Sequence, residues 1–234
     1  MKLSDCAEVR TGLILSRKLA REKTENRYSL LNLKSFNDDA TLNMQTLDVF
    51  DAKEPLNPEY LTHKGDIIVR TSSPYTAILI DEQTSGMVVS SNFVIIRCER
   101  KKILPEYLFW YLNTAEIKKD IFVNSAGNML AAIKPQYFCD MELALPSLES
   151  QRRIADFNLA ARKELELLNR LREEKEKFYQ ACLEKMQRKV ENENCHTDSE
   201  NLTIFHYEHA DFALAKSNPR GNHKTNKSSL GEIK

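Results

Sequence analysis

Short apolar runs separated by turn residues dominate the first hundred positions of this chain. Tyr28–Leu33 alternates apolar and polar residues like a half-buried strand, and Asn37-Asp38-Asp39 closes it. Leu56–Leu61 reads as a helical turn entered through Pro58, and Lys64-Gly65-Asp66 as a tight turn before Ile67–Arg70. Thr71–Tyr75 interrupts, Ala77–Ile80 resumes, and Gly86 turns into Met87–Val89 and then Phe93–Ile96. Apolar runs this short, bounded by turn residues, are core strands of a mixed sheet. Met1–Gly12 is a short amphipathic opening, and Lys18–Arg27 is a charged loop or polar turn. Pro105–Ile121 fits one helix, because Tyr107, Leu108, Tyr111, Leu112 and Ile117 recur at three- and four-residue spacing. Asn124–Asn128 is a polar loop, and Ile133–Leu145 is expected to return to the sheet.

The pattern then changes. After Pro146, Ser147 can cap a helix, and no glycine or proline follows for more than 40 residues. From Gln151 to about Glu191 the apolar positions Ile154, Phe157, Ala161, Leu165, Leu168, Leu171, Phe178, Cys182 and Met186 form a narrow stripe among Arg, Lys and Glu. At about 1.5 Å per residue such a helix spans roughly 60 Å. The stripe calls for a second helix along its length. Glu164, Arg172 and Lys175 intrude on the heptad, which favours a helix pair over a regular extended coiled coil. Beyond Glu191 the chain is polar: 192–201 reads as linker, Leu202–Tyr207 as one strand, and Lys216–Ser229 as disordered. The expected organisation is a compact domain over 1–148, a long spacer helix over 149–191, and a polar linker and tail over 192–234. The expected class is α/β (α+β), a mixed-sheet domain followed by a long helix of coiled-coil type.

Composition narrows the function. The chain has 234 residues, 41% hydrophobic and 29% charged, and its mean hydropathy is −0.50. That supports one core and a water-exposed surface. No run approaches a membrane span or a signal-peptide core, and the five cysteines form no CxxC pair, so reduced thiols in a cytoplasm are expected. There are 34 basic and 34 acidic residues. A protein gripping nucleic acid unaided carries a basic excess, because phosphate neutralisation supplies most of the affinity. Any such grip here must come from a local patch or a partner. Enzyme signatures are weak. Thr71-Ser-Ser-Pro-Tyr75 departs from the base-binding tetrapeptide of adenine methyltransferases at Ser73, and no glycine-rich cofactor loop accompanies it. Cys195, His196, His206 and His209 match no common zinc spacing, so no metal is expected.

Several segments in order resemble a known family: Leu3–Val9 with Gly12, Tyr60–Ile68, Pro105–Asn113, the Ser125-Ala-Gly127 loop, Ile133, and Leu145–Ile154. Together they are similar to a specificity subunit of a type I restriction–modification system. The resemblance implies a non-catalytic target-recognition domain that reads one half-site of double-stranded DNA. It further implies a long helix that pairs antiparallel with another and sets the spacing between half-sites. Methyltransferase subunits, and restriction subunits as a further partner class, dock on such a chain. S-adenosylmethionine belongs to the methyltransferase, so no cofactor is expected here. Family members carry two recognition domains; this chain has one, and Ser229–Lys234 echoes the opening Lys2–Ala7. The expectation is a half-size form that pairs with itself or with another specificity half, its main competitor being a truncated or silent recombination-cassette half. The alternative is an interaction module that docks through its helix without reading DNA.

The candidate DNA contacts form three groups. Arg70, Thr71, Ser72, Ser73 and Tyr75 follow a strand; Arg97, Arg100 and Lys101, with Lys102, are the densest basic run; Asn124, Ser125, Gly127, Asn128, Lys134, Gln136 and Tyr137 surround the polar loop. Arg can bond guanine bidentately, Asn and Gln can read adenine, and hydroxyls suit phosphate oxygens. Lys118 and Lys119 are assigned instead to the end of a helix, complementing its dipole.

Overall fold

The computed structural model describes residues 1–125 and 132–194. The chain divides into two units, residues 1–174 and 175–234. Among the described residues seven strands and four α-helices run in order: β1 (Ala7–Thr11), β2 (Arg27–Leu31), β3 (Asp48–Asp51), β4 (Asp66–Arg70), β5 (Ala77–Leu79), β6 (Val88–Val89), β7 (Phe93–Cys98), α1 (Pro105–Leu112), α2 (Ala115–Asn124), α3 (Pro135–Asp140) and α4 (Leu148–Asn194). The expected α+β class with a long terminal helix is the one found.

The strands form two sheets. One is antiparallel throughout, in the order β1-β7-β4-β5; the other, β3-β2-β6, is mixed, with β2 antiparallel to β3 and parallel to β6. β4 and β7 are apolar on both faces, and their residues divide by parity. Ile67, Val69, Val94 and Ile96 pack with Leu108, Leu112, Ile121 and Phe138 of the helices. Ile68, Phe93 and Ile95 pack instead with Leu31, Phe36, Ile80 and Val89 from the side of the second sheet. The four-stranded sheet is therefore covered by helices on one face and by sheet on the other.

Three expectations change and one unforeseen strand, β3, is added. The amphipathic opening contains β1, which pairs with β7 from Ala7↔Cys98 to Thr11↔Val94. Gly12 then passes so close to β6 that an added Cβ would lie 2.2 Å from the Ser90 carbonyl oxygen. β3 carried no alternating signal; only Phe50, 2% exposed, points fully inward. The single helix expected over Pro105–Ile121 breaks at Asn113-Thr114. There the Asn113 amide clamps β5, accepting from Ala77 N at 3.2 Å and donating to Ala77 O at 2.9 Å, while Thr114 caps α2. Ile133–Leu145 does not rejoin the sheet: Pro135 opens α3, and among the described residues its only ladder contact is the isolated bridge Lys2↔Glu142. The strand expected at 202–207, the disordered tail and the Cys195 and histidine cluster lie outside the described residues.

Cys6, Cys98, Cys139 and Cys182 carry free thiols. Burial pushes the Cys98 thiol up to about 12, which leaves it unreactive at neutral pH.

Ser147 caps α4 as expected, its hydroxyl accepting from Ser150 N at 3.2 Å. Gln151, in the first turn of α4, is only 1% exposed. Its Oε1 accepts from Leu104 N at 2.9 Å, and its Nε2 donates to Lys102 O at 3.2 Å and Pro146 O at 3.0 Å. One side chain thus satisfies three backbone groups where the helix leaves the domain. Replacing Gln151 with Ala strands a buried amide and two carbonyls, with an expected loss of about 2–3 kcal/mol in urea unfolding. A loss below about 0.5 kcal/mol would show that water replaces the side chain at no cost.

Candidate nucleic-acid interface

Arg70 ends β4 half-exposed, and its Nε is covered without a hydrogen-bond partner. Burial lowers its pKa, partly offset by Asp38. Ser72 and Ser73 follow, partly exposed, and the Ser73–Pro74 peptide is cis. The next residue turns inward. Tyr75 has φ 55 and is 2% exposed, with its hydroxyl 2.8 Å from Ser125 Oγ. Thr71 is also buried; its hydroxyl donates to Asn92 O at 2.9 Å, and its carbonyl accepts from Ile133 N at 2.7 Å. These bonds bring the strand-break loop and the polar segment after α2 together, although the sequence presents them fifty residues apart. They also correct the sequence reading: Thr71, Tyr75 and Ser125 hold the loop in place and offer no polar group to DNA in this arrangement.

Arg97 is corrected likewise. Its Nε lies 3.1 Å from Asp66 Oδ1, and its Nη2 reaches Leu61 O at 2.9 Å and His63 Nδ1 at 2.8 Å. The guanidinium pins the turn that feeds β4 and neutralises an aspartate only 3% exposed. Lys102 binds back to Asp5 O at 2.9 Å. Arg100 stays exposed, 3.6 Å from Glu106, and Lys101 faces solvent.

Asn124 closes α2, its amide on Asp120 O at 2.9 Å. Lys134 is exposed at the start of α3, and Gln136 bonds Asp140 Oδ2 at 2.7 Å. Tyr137 donates its hydroxyl to the Asp120 carboxylate, and burial followed by that bond raises its pKa. Gly127 and Asn128 lie outside the described residues. The outward-facing candidates are therefore Arg70, Ser72, Ser73, Arg100, Lys101, Asn124, Lys134 and Gln136. Lys118, expected at a helix end, is the fourth residue of α2 and half-buried; burial lowers its pKa, with Asp38 and Arg162 acting in opposite senses.

Sequence reasoning missed Arg162. From α4 it donates to the carbonyls of Asp39 and Ala40, the latter at 3.1 Å, and its guanidinium lies 4.9 Å from the centre of the Phe109 ring. Ala40 has φ 59, which turns this loop toward the helix. Nothing in the pattern separates Arg162 from the other cations of a charged helix.

Of the expected pairing positions, Ile154 packs on the domain core and Ala161 is partly covered. Phe157 is 78% exposed, and Leu165, Leu168 and Leu171 are each more than half exposed. In the second unit Phe178 and Met186 are exposed as well. Trp110, Arg153, Ile154, Phe157, Asn158 and Ala161 line an open notch of about 450 Å³.

Three comparisons bear on this arrangement. Residues 1–177 match the family described as "Type I restriction modification DNA specificity domain". A curated relative, the type I restriction enzyme HindI specificity subunit of Haemophilus influenzae, is 28% identical over 191 residues, covering 76% of this chain and 40% of the relative. A chain from a study of complex assembly and conformational transition of the type I R-M system superposes with TM-score 0.58 at 18% identity, over 81% of this chain and 48% of that one. The HsdS subunit from Thermoanaerobacter tengcongensis gives TM-score 0.55 at 19% identity, over 74% and 44%. The chain thus spans less than half the length of each of these relatives.

Removing Arg97 leaves Asp66 buried without its counter-charge. Arg97→Ala is expected to cost about 3–5 kcal/mol in chemical unfolding. Arg100→Ala and Lys101→Ala, on the surface, should stay within about 0.5 kcal/mol. Equal effects at all three positions would place Arg97 among the surface cations.

Proposed function

Because the chain belongs to the family of type I restriction modification DNA specificity domains, we propose that it reads one half-site of double-stranded DNA for separate modification and restriction subunits. The observation that carries this reading is the pair of hydrogen bonds that joins two distant polar segments. Arg70, Ser72 and Ser73 lie on a loop that Tyr75 and Thr71 tie to the segment bearing Asn124, Lys134 and Gln136. These side chains offer donors and acceptors suited to base edges and phosphates, on a loop held by buried hydrogen bonds.

The chain performs no chemistry in this account. The methyltransferase subunit brings S-adenosylmethionine and much of the phosphate grip, which reconciles a balanced 34 to 34 charge count with DNA binding. Among the described residues no helix is long and apolar enough to cross a membrane, and the role assigned is cytoplasmic. The exposed apolar stripe of α4 supports self-pairing, which would bring two copies of the recognition domain together. The same stripe supports a second reading, an interaction module that docks through α4 and leaves DNA unread.

The triple variant Arg70→Ala, Ser73→Ala, Asn128→Ala separates the two. With the methyltransferase subunit present, DNA binding in a mobility-shift assay should fall at least about tenfold while subunit assembly in gel filtration is unchanged. Undiminished DNA binding would favour the docking module.

A further inference from the structure

Four arginines are partly buried among the described residues, and three of them are bonded. Arg10 Nη2 lies 2.6 Å from Glu59 Oε2, Arg97 Nε lies 3.1 Å from Asp66 Oδ1, and Arg162 donates to the Ala40 carbonyl at 3.1 Å. Arg70 is the fourth. Its guanidinium makes no hydrogen bond and no ion pair with a described residue, and its Nε is covered. A sunken cation left unbonded costs free energy, which a ligand carrying acceptors can return.

A second unpaired group sits across the ladder. Arg70 N donates to Thr76 O at 3.1 Å, which sets the two residues directly opposite each other. Side chains of opposed residues share one face of a sheet. Ile68 and Ile78, the next opposed pair on that face, pack toward the second sheet, while Val69 and Ala77 between them pack toward the helices. Thr76 is 1% exposed, and its Oγ1 has no hydrogen-bond partner. A covered donor and a covered acceptor thus lie on opposed residues and remain unjoined. Opposed Cβ atoms are about 4.5–5.5 Å apart, so rotation within the Arg70 side chain can bring Nε–H onto Thr76 Oγ1. That bond leaves the Nη1–Nη2 edge as a planar fork with two donors.

We propose that Arg70 reads a guanine of the half-site through this fork, with Thr76 as the residue that positions it. The proposal rests on the DNA-reading function above and names the base and the pair of residues that select it. Guanine presents two acceptors, O6 and N7, on its major-groove edge, matched to a guanidinium fork. Two phosphate oxygens match the same fork, and Asp38 decides between them. Its carboxylate acts on the charge of Arg70 without bonding it. A phosphate approaching Arg70 meets that negative charge, whereas a neutral base edge does not.

The full chain, co-expressed with its methyltransferase subunit, tests this once its methylated motif has been mapped. Binding is then measured on duplexes in which each base pair of the motif is replaced in turn. Arg70→Ala should lose discrimination at one G·C pair by about tenfold to a hundredfold and keep it at the others. Arg70→Lys, which keeps the charge without the fork, should lose it as well. Thr76→Val keeps the shape and removes the hydroxyl. It should weaken discrimination about threefold to tenfold at the same pair without lowering the thermal midpoint, and Thr76→Ser should restore it. In the Arg70→Ala background Thr76→Val should add nothing. An even loss over all duplexes with a shallower salt dependence, restored by Arg70→Lys, would make Arg70 a phosphate contact and overturn the guanine assignment. Additive effects of Thr76→Val and Arg70→Ala would overturn the positioning role. An Arg70→Ala protein with unchanged affinity and motif would overturn Arg70 as a reader and leave DNA reading intact. A wild-type complex that binds no duplex selectively would overturn the DNA-reading function itself.

Discussion

β4 and β7 pair antiparallel from Asp66↔Arg97 to Arg70↔Phe93, and their apolar residues point to both faces. A sheet with two apolar faces must be covered twice. α1, α2 and α3 cover one face; β2, β6 and Phe36, stacked on Phe93 at 4.7 Å, cover the other. The polar ends of this pair are then fixed in space. Arg97 and Asp66 close one end, where the chain enters β4. Arg70 and the Ser72-Ser73 loop leave from the other, beside the α2–α3 segment. A rigid core thereby presents short polar loops at one edge, the arrangement a recognition surface needs if its side chains are to be held before binding.

α4 obeys a different constraint. Its start is tied to the domain through polar groups: Gln151 on three backbone atoms and Arg162 on the 39–40 carbonyls. Its apolar stripe beyond Ile154 is left largely exposed. A water-facing row of Phe and Leu is costly for a folded chain and gains when covered by a matching surface. The domain core is thus packed within the chain, while the apolar stripe of α4 faces solvent.

Much of this was legible in the sequence because it depends on hydrophobic period. The buried strands β4, β5, β6 and β7, the turn at Gly65 (φ 86) and the long capped helix follow from pattern and turn chemistry. What failed to show depends on single side chains acting across distance. β1 and β3 have mixed burial and lack alternation, since an edge strand needs few inward residues. The break between α1 and α2 hinges on one Asn clamping β5, which no local periodicity reveals. The candidate site was half legible: polar and basic residues were found, but Thr71, Tyr75, Arg97 and Ser125 face inward because they have partners 21 to 62 residues away. Spacing in a chain cannot separate a residue that contacts a ligand from one that positions it.

The proposed function requires that two copies of this chain recognise DNA together for a methyltransferase. The most direct measurement is to co-express this chain with its methyltransferase subunit and map methylated bases across host DNA by long-read sequencing. The account predicts a two-part motif whose halves are inverted copies of each other, separated by a fixed gap. A two-part motif with unlike halves would contradict self-pairing, and no new methylation would contradict DNA reading by this chain.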